Sequence, residues 1–139
     1  MKFQTHRLSV STRGGNDIHD LTPGVTKLLD DSGLEQGQVT VFAPGSTAGV
    51  TTIEFEPGLI RDLPEALDRV APMGVPYHHD AAWGDGNGYA HVRAALVGAS
   101  LVVPFHGRRL ILGTWQQVVL MDFDNRPRRR EIVVQILGE

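Results

Sequence analysis

Tyr77-His78-His79-Asp80, with His91 twelve residues after His79, is where residue types and spacing could do chemistry. Imidazole nitrogens and a carboxylate oxygen can hold zinc or a similar divalent ion without any thiolate. Adjacent side chains on an extended segment point to opposite faces, so only one of His78 and His79 can aim at a given point. No His-Glu-x-x-His or His-x-His spacing accompanies the pair. The run Gly84-Asp85-Gly86-Asn87-Gly88 leads into a predicted helix over 88–97 that carries His91 in its first turn. The free N–H groups and positive dipole end of that helix would attract an anion. The same glycines equally suit a plain turn.

Three further groups carry weaker signals. Glu54 lies between Ile53 and Phe55 on a predicted strand over 49–55; strand alternation alone favours an outward, solvated carboxylate over a functional one. Ser46 and Thr47 follow Pro44-Gly45 and can donate hydroxyls to a phosphate or bond their own turn, and the turn is the simpler role. Arg126, Arg128, Arg129 and Arg130 form the densest positive run. A solvated connection is favoured for it, with bidentate phosphate binding as the alternative.

Composition limits the rest. The 139 residues suit one domain over 1–139, and 41% apolar with 21% charged residues suits a packed globule. The absence of cysteine excludes disulfides, thiolate metal sites and cysteine catalysis. A net charge of −3 and 6% aromatic residues argue against a nucleic-acid binder. No apolar run approaches the roughly 20 residues that cross a bilayer, so the expectation is no membrane span and a cytoplasmic location.

The elements that must position these residues follow from pattern. Residues 2–10 read as a strand and 13–17 as a turn. A helix begins with Thr22 as N-cap and Pro23 at its first position, and stops at Gly33; Leu21, Val25, Leu28 and Leu29 share its inner face. Strands are expected at 38–43 and 49–55. A helical stripe spans 58–71, interrupted or restarted at Pro64 near Asp62. Residues 72–88 read as a long irregular segment. In the helix over 88–97, capped by Asn87, Val92, Ala95 and Leu96 are expected to face inward. Strands at 100–105 and 108–113 bracket a two-residue turn at His106-Gly107, and two more lie at 115–123 and 130–137. Six or seven strands, mostly antiparallel, and about three helices make the fold class α+β.

The segments Ser100-Leu101-Val102-Val103-Pro104, Arg109-Leu110-Ile111-Leu112 and Gly113-Thr114-Trp115-Gln116 resemble the signature region of the YjbQ-like family, labelled secondary thiamine-phosphate synthase. Tyr77-His78-His79-Asp80, the run Ala90 to Gly98, Thr47-Ala48, Thr51 to Glu54 and Leu137-Gly138-Glu139 fit in order and spacing. The resemblance implies a compact α+β homotrimer with a pocket lined by Glu54, His79 and His91, with Thr114 and Gln116 nearby and often a divalent metal, zinc or magnesium. Glu54 would be a ligand or a base. The substrate implied is a small phosphorylated molecule, and the residues this chain itself offers for binding it are Ser46, Thr47 and Arg128. The reaction would be a thiamine-phosphate synthase type of transfer or another metal-assisted step. A non-catalytic trimeric metal- or anion-binding protein is the alternative. One departure is visible: where the family commonly has His-Thr-Ser or His-Thr-Thr, this chain reads Gly45-Ser46-Thr47. Two histidines and one carboxylate still make a three-ligand site with an open position.

Overall fold

A computed structural model describes residues 1–139. The order is β1 (Lys2–Thr12), β2 (Asp17–Asp20), α1 (Thr22–Ser32), β3 (Gln36–Phe42), β4 (Ala48–Ile53), α2 (Pro57–Val70), α3 (His78–Trp83), α4 (Gly88–Val97), β5 (Ser100–His106), β6 (Arg109–Leu110), β7 (Gln117–Asp122) and β8 (Arg128–Gly138). Two antiparallel sheets form, in the orders β1-β8-β3-β5-β6 and β2-β7-β4. The fold is α+β, as the strand-rich end of the chain predicts.

The main core lies between the sheets. Ile132, Val134 and Ile136 project from β8 at period two and are fully buried with Val39, Val41, Val118 and Leu120. The inner face of α1, Val25 and Leu29, closes one side. A second core packs α2 and α4 on the far face of the small sheet through Leu67, Tyr89, Ala90 and Ala94 against Val119, Met121 and Phe123. Strand β7 is therefore buried on both faces, which explains its unbroken apolar run Val118 to Met121.

Several sequence expectations are corrected. Thr22 is the first residue of α1, not its cap. The Asp20 carboxylate accepts from the Thr22 amide at 2.9 Å, and the Thr22 hydroxyl accepts from the Val118 amide at 2.9 Å, tying the helix to β7. Helix α2 runs through Pro64 without a break. Leu63 and Leu67, on either side of it, both pack on the second core and hold the two halves on one axis. Glu56 caps α2 by accepting from the Gly58 and Leu59 amides. The segment 72–88 is not irregular throughout, because α3 forms within it and stops at the left-handed Gly84. The hairpin turn is Gly107-Arg108, both at positive φ, so His106 belongs to β5. Strand β6 is only two residues long, and Glu54 lies one residue past the end of β4.

Helix α4 is turned over relative to the prediction. Val92, Ala95 and Leu96 face outward, while Tyr89, Ala90, Arg93 and Ala94 are buried. Arg93 reaches the interior because its guanidinium is satisfied there. It donates to the Ala71 carbonyl (2.9 Å), the Asn16 side chain (2.6 Å) and Asp68 (3.1 Å), and lies 5.1 Å from the Tyr89 ring centre. Close approach to β4 needs Gly49, where a Cβ would sit 2.7 Å from Val97 Cγ1.

Candidate functional site

The first turn of α4, the α3 helix, the turn before β4 and the start of β8 meet around a cleft of about 390 Å³. Its floor is a buried ion network. Asp122 and Asp124 follow the apolar run of β7, and both are fully buried. Arg130 grips Asp122 with two bonds, Nε to Oδ2 at 2.8 Å and Nη2 to Oδ1 at 2.9 Å. Thr12 donates to the same carboxylate at 2.6 Å. Arg128 holds Asp124 through Nε at 2.8 Å and Nη2 at 2.6 Å.

Burial pushes the pKa of both carboxyls up, but their donors outweigh it. Asn87, the Asn125 amide, Arg128 and Thr47 bring Asp124 down to about 2 from 3.8. Arg130, Thr12 and the Asp124 amide likewise hold Asp122 below the ordinary carboxylate range. Thr47 is consumed by this network: its hydroxyl accepts from Arg130 Nη2 at 2.8 Å and donates to Asp124 at 3.1 Å. Nε and Nη2 of each arginine make these bonds, so Nη1 of each is left without a protein acceptor. A Cβ at Gly45 would lie 3.0 Å from Arg130 Nη1, so the absence of a side chain there leaves this nitrogen uncovered from that direction.

The opposite wall is histidine and acid. His79 and His91 rings are 4.2 Å apart, centre to centre. His79 Nδ1 lies 3.4 Å from Asp80 and 3.5 Å from Asp85. One ligand atom from each of His79, Asp80 and Asp85 falls within 4.8 Å of the others, a spacing that suits a divalent ion. Asp80 also accepts from the Gly88 amide at 2.8 Å, doing the capping that sequence assigns to Asn87. Asn87 instead donates to Asp124 at 3.2 Å, and its buried Oδ1 has no partner.

Of the residues singled out from sequence, Ser46, Thr47, His79, His91 and Arg128 line this cleft. Glu54, Thr114 and Gln116 do not. Strand β4 starts beside the cleft and carries the chain about 20 Å away before Glu54, at roughly 3.3 Å per residue. In the pairing with β7, Ala48 opposes Asp122 at the cleft end and Ile53 opposes Gln117 at the other. Gln116 belongs to that far end, donating to Thr52 at 3.1 Å. His78 is exposed and lies outside the cleft. Sequence reasoning missed Asp122, Asp124 and Asp85, and ranked Arg130 behind Arg128. A visible signal was two acids at i, i+2 closing an apolar strand, followed by two arginines at the same spacing.

Comparison with known proteins extends the resemblance over nearly the whole chain. The family model described as UPF0047 protein YjbQ-like matches residues 6–139. A UPF0047 protein of Archaeoglobus fulgidus is 35% identical over 130 residues, covering 94% of this chain and 98% of its own length. The UPF0047 protein YugU of Bacillus subtilis is 32% identical, covering 94% and 97%. Among solved structures, a YbjQ-like protein of unknown function from Sulfolobus solfataricus P2 superposes with a TM-score of 0.89 at 28% identity, covering 99% of this chain and 100% of that one. A hypothetical protein from Aeropyrum pernix K1 gives 0.91 at 33% identity, covering 98% and 99%. No helix is long and apolar enough to cross a membrane. With the matching family model, the curated relatives and the shared fold in agreement, the chain belongs to the YjbQ-like UPF0047 family.

Proposed function

We propose that the cleft binds a small phosphorylated molecule together with a divalent cation, and that the protein carries out metal-assisted chemistry on it. The observation that supports this most is the pair Arg128 and Arg130. Each is fixed by a buried carboxylate and keeps one guanidinium nitrogen free. Fixed arginine donors suit phosphate oxygens. Ser46 adds a hydroxyl on the same side. On the other wall His79, Asp80 and Asp85 would hold the cation, with His91 alongside. Mixed nitrogen and oxygen donors suit zinc better than magnesium. A bound cation would offset charge on the phosphoryl group. Displacement of pyrophosphate, as in a thiamine-phosphate synthase, is one reaction in this class.

The position of Glu54 favours a second reading, a non-catalytic metal- and anion-binding protein. Glu54 was the candidate base, and within one copy of the chain it lies far from the cleft.

The test is metal analysis and phosphate titration of the untagged protein. Near-stoichiometric metal after zinc exposure is expected, lost in His79→Ala. Phosphate binding is expected to weaken about tenfold in Arg128→Met, the scale of one charge-assisted bond. Absence of both metal and phosphate binding would sink the proposal. Bound ligands without turnover of any phosphorylated substrate would select the second reading.

We also propose the homotrimer. Phe42 and Val102 are exposed, large and apolar on the solvent face of the five-stranded sheet, which supports a subunit contact there. Sedimentation should give the trimer mass, and Phe42→Asp should shift it toward monomer. A monomeric wild type refutes it.

A further inference from the structure

Ten residues line the cleft, and Trp83 is the one large apolar side chain among them. It is 77% exposed and belongs to neither core cluster. It is the last residue of α3, four positions after His79. Residues at i and i+4 share one helix face. The face of α3 that turns His79 toward the cleft therefore turns the indole toward it as well. An isolated indole on a wall otherwise made of charged and polar groups is too small a surface to dock a protein. It has the size and flatness to receive one ring.

We propose that Trp83 is a stacking platform, so that the cleft takes phosphate esters of planar aromatic or heteroaromatic compounds in preference to those of sugars or polyols. The proposal rests on the anion-binding reading of the cleft given above. The phosphate would engage the free nitrogens of Arg128 and Arg130, and the ring would lie on the indole. Stacking of a ring on an aromatic side chain changes affinity by about one order of magnitude or more when the platform is removed. Unlike a hydrogen-bonding pocket, it tolerates different rings because every ring has a π-face.

The experiment is calorimetric titration of the zinc-treated full chain with phenyl phosphate, glycerol 3-phosphate and inorganic phosphate. Wild type, Trp83→Ala, Trp83→Phe and Arg128→Met are compared. Phenyl phosphate is expected to bind about tenfold tighter than glycerol 3-phosphate to wild type. Trp83→Ala should remove that preference and leave inorganic phosphate within about twofold, whereas Trp83→Phe should keep most of it. Fluorescence in a Trp115→Phe background should respond to phenyl phosphate and not to inorganic phosphate, since Trp83 is then the only indole. Equal affinity of wild type for the two esters, or equal losses for all three ligands in Trp83→Ala, overturns the platform while leaving the anion site standing. Failure of all three ligands to bind, or binding indifferent to Arg128→Met, overturns the anion site and the platform with it. Because Trp83 is exposed and outside both cores, its variants should keep the wild-type urea midpoint, so a loss of binding is not a loss of fold.

Discussion

Arg130→Met is expected to lower the free energy of unfolding by about 3–5 kcal/mol, the cost of leaving a buried charge without its partner. Asp122 is fully buried, and the Arg130 side chain is only 12% exposed. Methionine replaces most of the aliphatic stem but none of the charge. Asp122 would keep the Thr12 hydroxyl and the Asp124 amide but would have lost its two-point cationic partner. Urea denaturation followed by far-ultraviolet circular dichroism measures the loss as a shifted midpoint. The double variant Arg130→Met/Asp122→Leu removes both charges and should recover a large part of it. If the double variant is as unstable as the single one, the penalty arises from packing and the argument from charge fails.

Acid should unfold this protein earlier than its apolar core alone would suggest. Asp124 has a folded pKa of about 2 against an ordinary 3.8. A depressed carboxyl stabilises the fold in its ionised form. That contribution is complete above the unfolded value, near pH 4, and is lost as pH falls through the folded value near 2. Its size is about 2 kcal/mol, from a difference of nearly two pKa units. Asp122 and Asp17 are lowered in the same sense and act in the same direction. The stability curve should therefore drop between about pH 4 and pH 2. Asp124→Asn should be less stable at pH 7 and show a shallower drop. A variant with an unchanged acid limb would place the pH sensitivity elsewhere.

The parts of the fold that rest on periodic apolar residues are legible in the sequence. Ile132, Val134 and Ile136 in β8, and Val25 with Leu29 in α1, fall where pattern puts them. Misreading begins where polar groups are satisfied by distant partners. Val92, Ala95 and Leu96 read as the inner face of α4, yet Ala71, Asn16 and Asp68 receive the Arg93 guanidinium in the interior, and the whole helix is rotated with it. Pro64 reads as a break because a local rule ignores the core contacts of Leu63 and Leu67.

The candidate site divides the same way. The histidines and Arg128 are recognisable by residue type, since imidazole and guanidinium have few other uses in combination. Asp122 and Asp124 carry only the signal of their spacing, because their burial and their pairing with Arg128 and Arg130 join the end of β7 to a strand of the other sheet. The separation of Glu54 from His79 is equally a matter of topology: both were assigned to one pocket by resemblance, and β4 holds them apart within a single copy.

The pairing of β1 with β8 brings Lys2 opposite Gly138 and continues without interruption to Thr12 opposite Arg128. This has a consequence for how the chain acquires its structure. During synthesis the first strand emerges early and must wait for the last. Until residues 128–138 leave the ribosome, β1 has no neighbour, β3 lacks one of its two, and Arg128 and Arg130 are not yet available to the acids at the end of β7. Closing so long a loop delays the reward of its contacts, which slows folding relative to helical proteins of equal length. A nascent chain of this protein therefore spends most of its translation with the strand edge unpaired, the period in which chaperone binding or misassociation would compete with folding.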